Sequence, residues 1–219
     1  MIINGNALTK KNRREVIVEI LNSYGETGFI KGFMRNEPKN KISEDFILEL
    51  RTPKKTKMRL KIFIKSPKEQ FDSFCALSVK DVNTNEVLYE NENREVFKKF
   101  NYKNFYPKDP RNEDWRKDEG TKFLLANIGQ YVEFSVPKGH PQRRFMHVRG
   151  ILKCVYNNPL AKNRRIIQIL IDKPYKNSDI IAQFILPKEY TISSTSFMTG
   201  ETETLNYGAS HEDEEQFIQ

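Results

Sequence analysis

The fold is decided by one alternating stretch, which reads Lys57-Met58-Arg59-Leu60-Lys61-Ile62-Phe63-Ile64-Lys65. Side chains on a β-strand point to opposite faces with a period of two, so this stretch predicts a strand with one apolar and one cationic face. The cationic face holds Lys57, Arg59, Lys61, Phe63 and Lys65. A cationic row with a ring in it suits a phosphate backbone and the adjacent base. A solvated sheet face whose lysines discourage edge pairing explains the same pattern.

Similar patterns recur along the chain and predict a mainly β (α+β) fold. The further strands are expected at residues 45–50, 73–82, 86–90, 130–136, 144–156, 165–171 and 180–186. Gly150 lies inside the longest of them, where a bend or bulge is expected. Several short strands with basic loops favour an antiparallel sheet, either open or closed into a barrel like that of oligonucleotide-binding (OB) folds.

One helix is predicted at the N-terminus, over residues 9–24. One of its faces would hold Val16, Ile17, Ile20, Leu21 and Tyr24, and Gly25 would end it. The composition turns to Ser, Thr, Gly and acids after Pro187. We therefore expect a basic β-rich domain over residues 1–190 and a polar acidic tail over residues 191–219.

The charge is unevenly distributed. The net charge is +8, but the segment from Glu201 to Gln219 contains six acids and no Lys or Arg, so the body is more basic than the total implies. Two windows, residues 51–68 and 134–171, contain bases and no acid, and the second includes Arg143, Arg144 and Arg149. A basic body with an acidic end is typical of nucleic-acid-binding proteins.

A segment over residues 94–117 interleaves rings with cations. The residues expected to contact nucleic acid there are Lys98, Lys99, Tyr102, Lys103, Phe105, Tyr106 and Trp115. A base stacked on such a ring gains roughly 1–3 kcal/mol while its phosphate binds a neighbouring Lys. Rings in a long loop can equally anchor that loop to the core.

Enzymatic and cofactor chemistry finds little support in the sequence. His147 and Cys154 would point to opposite faces of one strand, so a zinc site shared with His140 is geometrically poor, and we expect no metal and no cofactor. Cys75 and Cys154 are expected to be small buried thiols in a reducing compartment. No signal peptide and no apolar stretch of membrane-spanning length is present in this sequence, which favours a soluble, cytoplasmic protein.

The strongest case for an enzyme is a metal-dependent nuclease. Asp45 and Glu49 would share a strand face and could hold a cation near a scissile phosphate. Arg51 stands where such nucleases often place a lysine, and an ordinary exposed strand face explains the same residues.

The last ten residues, Ser210-His211-Glu212-Asp213-Glu214-Glu215-Gln216-Phe217-Ile218-Gln219, carry a family resemblance. They resemble the acidic, aromatic-ended tail of bacterial and phage single-stranded-DNA-binding proteins. The resemblance implies a basic barrel that holds DNA and a tail that recruits replication and repair proteins. It transfers only to Glu212, Asp213, Glu214, Glu215 and Phe217, and this sequence ends in Gln219 instead of Phe.

The sequence therefore favours a non-enzymatic single-stranded nucleic-acid-binding protein of phage or mobile-element replication or recombination. Its partners would be the nucleic acid and proteins that bind the acidic tail, with no membrane contact. A virion structural or assembly protein, whose basic face binds an acidic subunit, is the alternative, and the nuclease is the third hypothesis.

Overall fold

The computed structural model describes residues 13–22, 24–35, 41–64, 74–92, 117–141, 143, 146–158, 164–172 and 180–208. The chain divides into two compact units. The first comprises Met1–Lys108 with Lys173–Lys176, and the second comprises Asp109–Asp172 with Asn177–Gln219. The sequence predicts one domain over residues 1–190, and the structure distributes that region between the two units.

The first unit contains six described strands in one sheet. They are β1 (Arg14–Leu21), β2 (Thr27–Met34), β3 (Phe46–Arg51), β4 (Lys57–Phe63), β5 (Phe74–Asp81) and β6 (Val87–Glu90). The strands follow one another in sequence order, and an added pairing of β1 with β5 closes the first five into a barrel. The predicted class, mainly β with an OB-like barrel and one helix, is confirmed. The consecutive strand order differs from the Greek-key order of OB folds.

The closure of five strands requires one parallel pair, because directions cannot alternate around an odd-numbered ring. That pair is β4 and β5, which are parallel and, within the described residues, align Ile62 with Phe74 and Phe63 with Cys75. All other neighbours in the ring are antiparallel. The interior is apolar, with Val18, Ile30 and Leu48 fully buried.

The strand β1 replaces the predicted N-terminal helix, which was wrong for the residues that the structure describes. Val16, Val18 and Ile20 are fully buried, and Ile17 between the first two is only partly buried. β1 hydrogen-bonds to β2 on one side and to β5 on the other. Its β-branched residues fit a strand, and the pairing on both edges outweighs a helical spacing that the same residues also satisfy.

The second unit is an antiparallel sheet with a helix. Its elements are α1 (Glu119–Ala126), β7 (Tyr131–Ser135), β8 (Val148–Asn158), β9 (Arg164–Ile171), β10 (Ile181–Ile185), β11 (Tyr190–Thr195) and β12 (Thr202–Tyr207). The sheet order is β10-β9-β8-β7-β11-β12. The predicted tail therefore begins inside a strand, because β11 and β12 extend the sheet to residue 207.

Asp118 connects α1 to this sheet. Its carboxylate caps the helix by accepting from the Thr121 N–H at 2.8 Å, and it also accepts from the Thr121 hydroxyl, from Arg165 on β9 and from the Tyr207 hydroxyl on β12. Burial opposes ionisation, but the Tyr207 and Thr121 hydrogen bonds and the Arg165 charge hold the pKa of Asp118 below its ordinary value. The described helix thus lies mid-chain, where a cap ties it to the sheet.

Candidate nucleic-acid interface

The outer face of β4 carries the predicted cationic row. Lys57, Arg59 and Lys61 are exposed, Phe63 is half-buried, and the residues between them are buried in the barrel. The neighbouring strand β3 aligns Ile47 with Lys61, Glu49 with Arg59 and Arg51 with Lys57. Residues directly opposite each other share a face, so Arg51 joins the row. The face is therefore two strands wide.

The β3–β4 turn adds cations at the end of the row. Lys54 and Lys55 are exposed there, and Lys55 has a φ of 61°. The turn is held by a hydrogen bond from the Thr52 N–H to the Thr56 carbonyl at 3.0 Å, and by one between the two threonine hydroxyls. The turn and the two strands together define the hairpin face, which consists of Arg51, Lys54, Lys55, Lys57, Arg59, Lys61 and Phe63 with the two carboxylates described below.

Two rings lie beside these cations. Lys61 Nζ is 4.4 Å from the centroid of the Phe63 ring, and the Arg51 guanidinium is 5.8 Å from that of Phe33. Phe33 on β2 pairs with Glu49, so it belongs to the same outer surface. A base stacking on either ring would take the ring face opposite the cation or displace the cation.

Phe33 is absent from the contacts predicted from the sequence, because it reaches this surface only through the pairing of β2 with β3. The alternation of Phe29, Lys31 and Phe33 was the available signal, and all three point outward on β2. Phe29 is 49% exposed, which is the largest exposure of any large apolar side chain among the described residues.

Carboxylates neutralise part of the hairpin face. Glu49 is only 5% exposed, and its Oε1 lies 2.7 Å from Arg13 Nη1 and 3.9 Å from Lys57 Nζ. Asp45 lies 3.6 Å from Lys61. Arg59 is exposed on β4 and forms no ion pair with any residue that the structure describes.

The two carboxylates that suggested a nuclease thus pair with cations. Across the described ranges, no group of three His, Cys, Asp or Glu side chains is placed to hold a metal ion. Both cysteines are buried free thiols. Burial, followed by the charge of Asp45, raises the pKa of Cys75 to about 12.

The remaining predicted contacts fall elsewhere. Arg143 and Arg149 are exposed in the second unit, where Arg149 on β8 pairs with Glu133 on β7. The predicted nucleic-acid contacts outside the described residues are Lys65, Lys98, Lys99, Tyr102, Lys103, Phe105, Tyr106, Trp115 and Arg144. The tail residues Glu212, Asp213, Glu214, Glu215 and Phe217 also lie outside them.

The fold and this surface define a closed five-stranded barrel with a cationic, ring-bearing outer hairpin, joined in one chain to a second antiparallel sheet. No protein-family model, curated protein or solved structure matches the chain. Among the described residues, no helix is both long and apolar enough to cross a membrane.

Proposed function

We propose that this chain is a non-enzymatic protein that binds single-stranded nucleic acid, DNA in the first place, along the hairpin face. The observation that carries the proposal is the row of Lys57, Arg59 and Lys61 on the outer face of β4, with the Phe63 and Phe33 rings beside it. Successive outward residues on a strand lie about 6.6 Å apart, close to the phosphate spacing of an extended single strand. Each cation can therefore meet one phosphate.

The roles divide between charge and stacking. Lys57, Arg59 and Lys61 would contact phosphates, with Arg51 and the turn lysines extending the path. Phe63 and Phe33 would offer ring surface to bases, which accounts for binding with little sequence preference. The acidic tail would recruit protein partners, in a cytoplasmic replication or recombination process of a phage or mobile element.

Fluorescence anisotropy of labelled single- and double-stranded oligonucleotides tests this proposal. We expect tight binding of the single strand that weakens steeply as salt rises, because phosphate contacts release counterions. No binding to either form at low salt would overturn it.

The second candidate is an assembly protein whose hairpin face binds an acidic subunit. The ion pairs of Lys57 with Glu49 and of Lys61 with Asp45 favour it, because the cations of this face already bind carboxylates of their own chain. This function predicts a large defined assembly on a sizing column and no affinity for short oligonucleotides.

A further inference from the structure

Among the described strands, β10 lies at an edge of the second sheet, and its own sequence lacks the usual edge protection. In the part of the chain that the structure describes, it pairs only with β9. The segment Ile180-Ile181-Ala182-Gln183-Phe184-Ile185-Leu186 contains no charge and no proline. Ile180 and Ile185 are 38% and 39% exposed. Natural sheets protect exposed edges with charges, prolines or bulges, so an apolar open edge indicates a surface that is covered by another strand.

The backbone of β10 shows which groups are offered at this edge. The Ile180 carbonyl accepts from Ile171 at 2.8 Å, and the Leu186 N–H donates to the Arg165 carbonyl at 2.8 Å. Even-numbered residues of β10 therefore direct their N–H and C=O groups at β9. Because these directions alternate along a strand, Ile181, Gln183 and Ile185 direct theirs away from β9.

These three residues form a self-complementary set. An antiparallel pairing of two β10 strands about a two-fold axis at Gln183 places Ile181 of each copy opposite Ile185 of the other. The same register places Ala182 opposite Phe184, a small side chain against a large one, and the two Gln183 side chains opposite each other. Each Gln183 amide oxygen accepts from Gln168 Nε2 on β9 at 2.6 Å, which leaves its amide N–H groups to the partner copy. A register centred one residue later would place Pro187, which has no N–H, opposite Ile181.

We propose that β10 pairs with β10 of a second copy of this chain, so that the two second-unit sheets continue through a two-fold axis at Gln183. One face of the strand is already anchored, since the Phe184 ring packs 4.7 Å from Phe134. The edge therefore presents a fixed template to the partner. The opposite edge differs, because β12 includes the exposed Glu203, a charge of the kind that protects edges.

Self-association through β10 does not depend on the proposed function, and it is tested on the full chain. Sedimentation equilibrium over a wide concentration range should give a species of twice the 25.8 kDa monomer mass. Gln183→Lys places two like charges opposite each other and should weaken self-association about fivefold or more. Gln183→Glu should do the same. Thr204→Lys, an exposed change on β12, is the matched control and should associate like the wild type.

Mixing the two Gln183 variants separates pairing from misfolding. If the strands meet at Gln183, Lys faces Glu in the mixed dimer, and association should return to within about twofold of the wild type. A monomeric wild type would overturn the proposal. So would a Gln183→Lys variant that dimerises normally, a mixture that stays monomeric, or an open-ended polymer in place of a closed dimer.

Discussion

Glu49 on β3 lies directly opposite Arg59 on β4, yet its carboxylate is paired with Arg13 and Lys57. The acid is nearly buried, whereas Arg59 is exposed. At the middle of the row, the Glu49 carboxylate therefore competes with an incoming phosphate for the cations of the hairpin face. Removing that competitor should affect binding and stability in opposite directions.

We expect Glu49→Gln to raise affinity for single-stranded oligonucleotides by about 1 kcal/mol, roughly fivefold, because a negative charge leaves the phosphate path. The free energy of unfolding should fall by about 1 kcal/mol, since Arg13 loses a charged acceptor. Anisotropy and urea unfolding measure the two effects. The control Glu189→Gln removes an exposed acid of the second unit and should change neither the affinity nor the free energy of unfolding. Equal affinities for Glu49→Gln and the wild type would argue against phosphate binding at the hairpin face.

Replacing both Arg59 and Lys61 with Ala should weaken binding to all sequences alike. Loss of two phosphate contacts on a single strand should flatten the slope of log K against log salt by about 1.4. Salt titrations by anisotropy measure it. The fold should persist, because both side chains are exposed. The control is the double variant Lys122→Ala/Lys188→Ala, which removes two exposed cations of the second unit. An unchanged salt slope in Arg59→Ala/Lys61→Ala would exclude the hairpin face as the phosphate-binding surface.

Asp118 should make the second unit sensitive to acid. Its folded pKa is depressed below the unfolded value of about 3.9, so its contribution is present above that pH and is lost as pH falls towards the folded pKa. Asp118→Asn should remove this pH dependence and lower stability at neutral pH by about 1–3 kcal/mol. Hydrogen exchange of residues 190–207 between pH 2 and pH 7 measures the stability of β11 and β12 as a function of pH. The control Glu119→Gln should behave like the wild type.

Gly150→Ala should disrupt the second sheet. Gly150 has a φ of 155°, and an added Cβ would overlap the carbonyl oxygen of Leu170 on β9. Relieving this overlap requires β8 and β9 to separate, so we expect the free energy of unfolding to fall by about 3 kcal/mol or more. Gly139→Ala is the matched control, because nothing lies within 4 Å of its added Cβ. Thermal melts of the two variants should differ clearly, and similar melts would contradict the close approach.

Cys75 should be inert in the native protein, because burial raises its pKa to about 12 and the thiolate is the reactive form. Native protein treated with a thiol reagent at neutral pH should react slowly, and both cysteines should react after unfolding. Lys80→Cys, at an exposed position of the same strand, provides the fast-reacting comparison. Rapid labelling of Cys75 in the native state would show that the barrel opens.

Much of the fold was predictable where one residue pattern fits one structure. The strict alternation of Lys57–Phe63 fits only a strand, and its outward Lys57, Arg59 and Lys61 lie as predicted. The residues of β1 satisfy both a helical and a strand spacing. Only the pairing partners β2 and β5 select the strand, and they are distant in sequence.

The two faces of β4, one cationic and one apolar, follow from the sequence alone, because alternation is a local property of the strand. The sequence could not assign neighbours, because register depends on which strands pair. The tertiary structure brought Arg51 and Phe33 to that face and placed Glu49 opposite Arg59. It also assigned Arg149 to a separate unit, although the two basic windows look alike in sequence. Side-chain direction is set within a strand, whereas a binding surface is set by contacts between residues far apart in the chain.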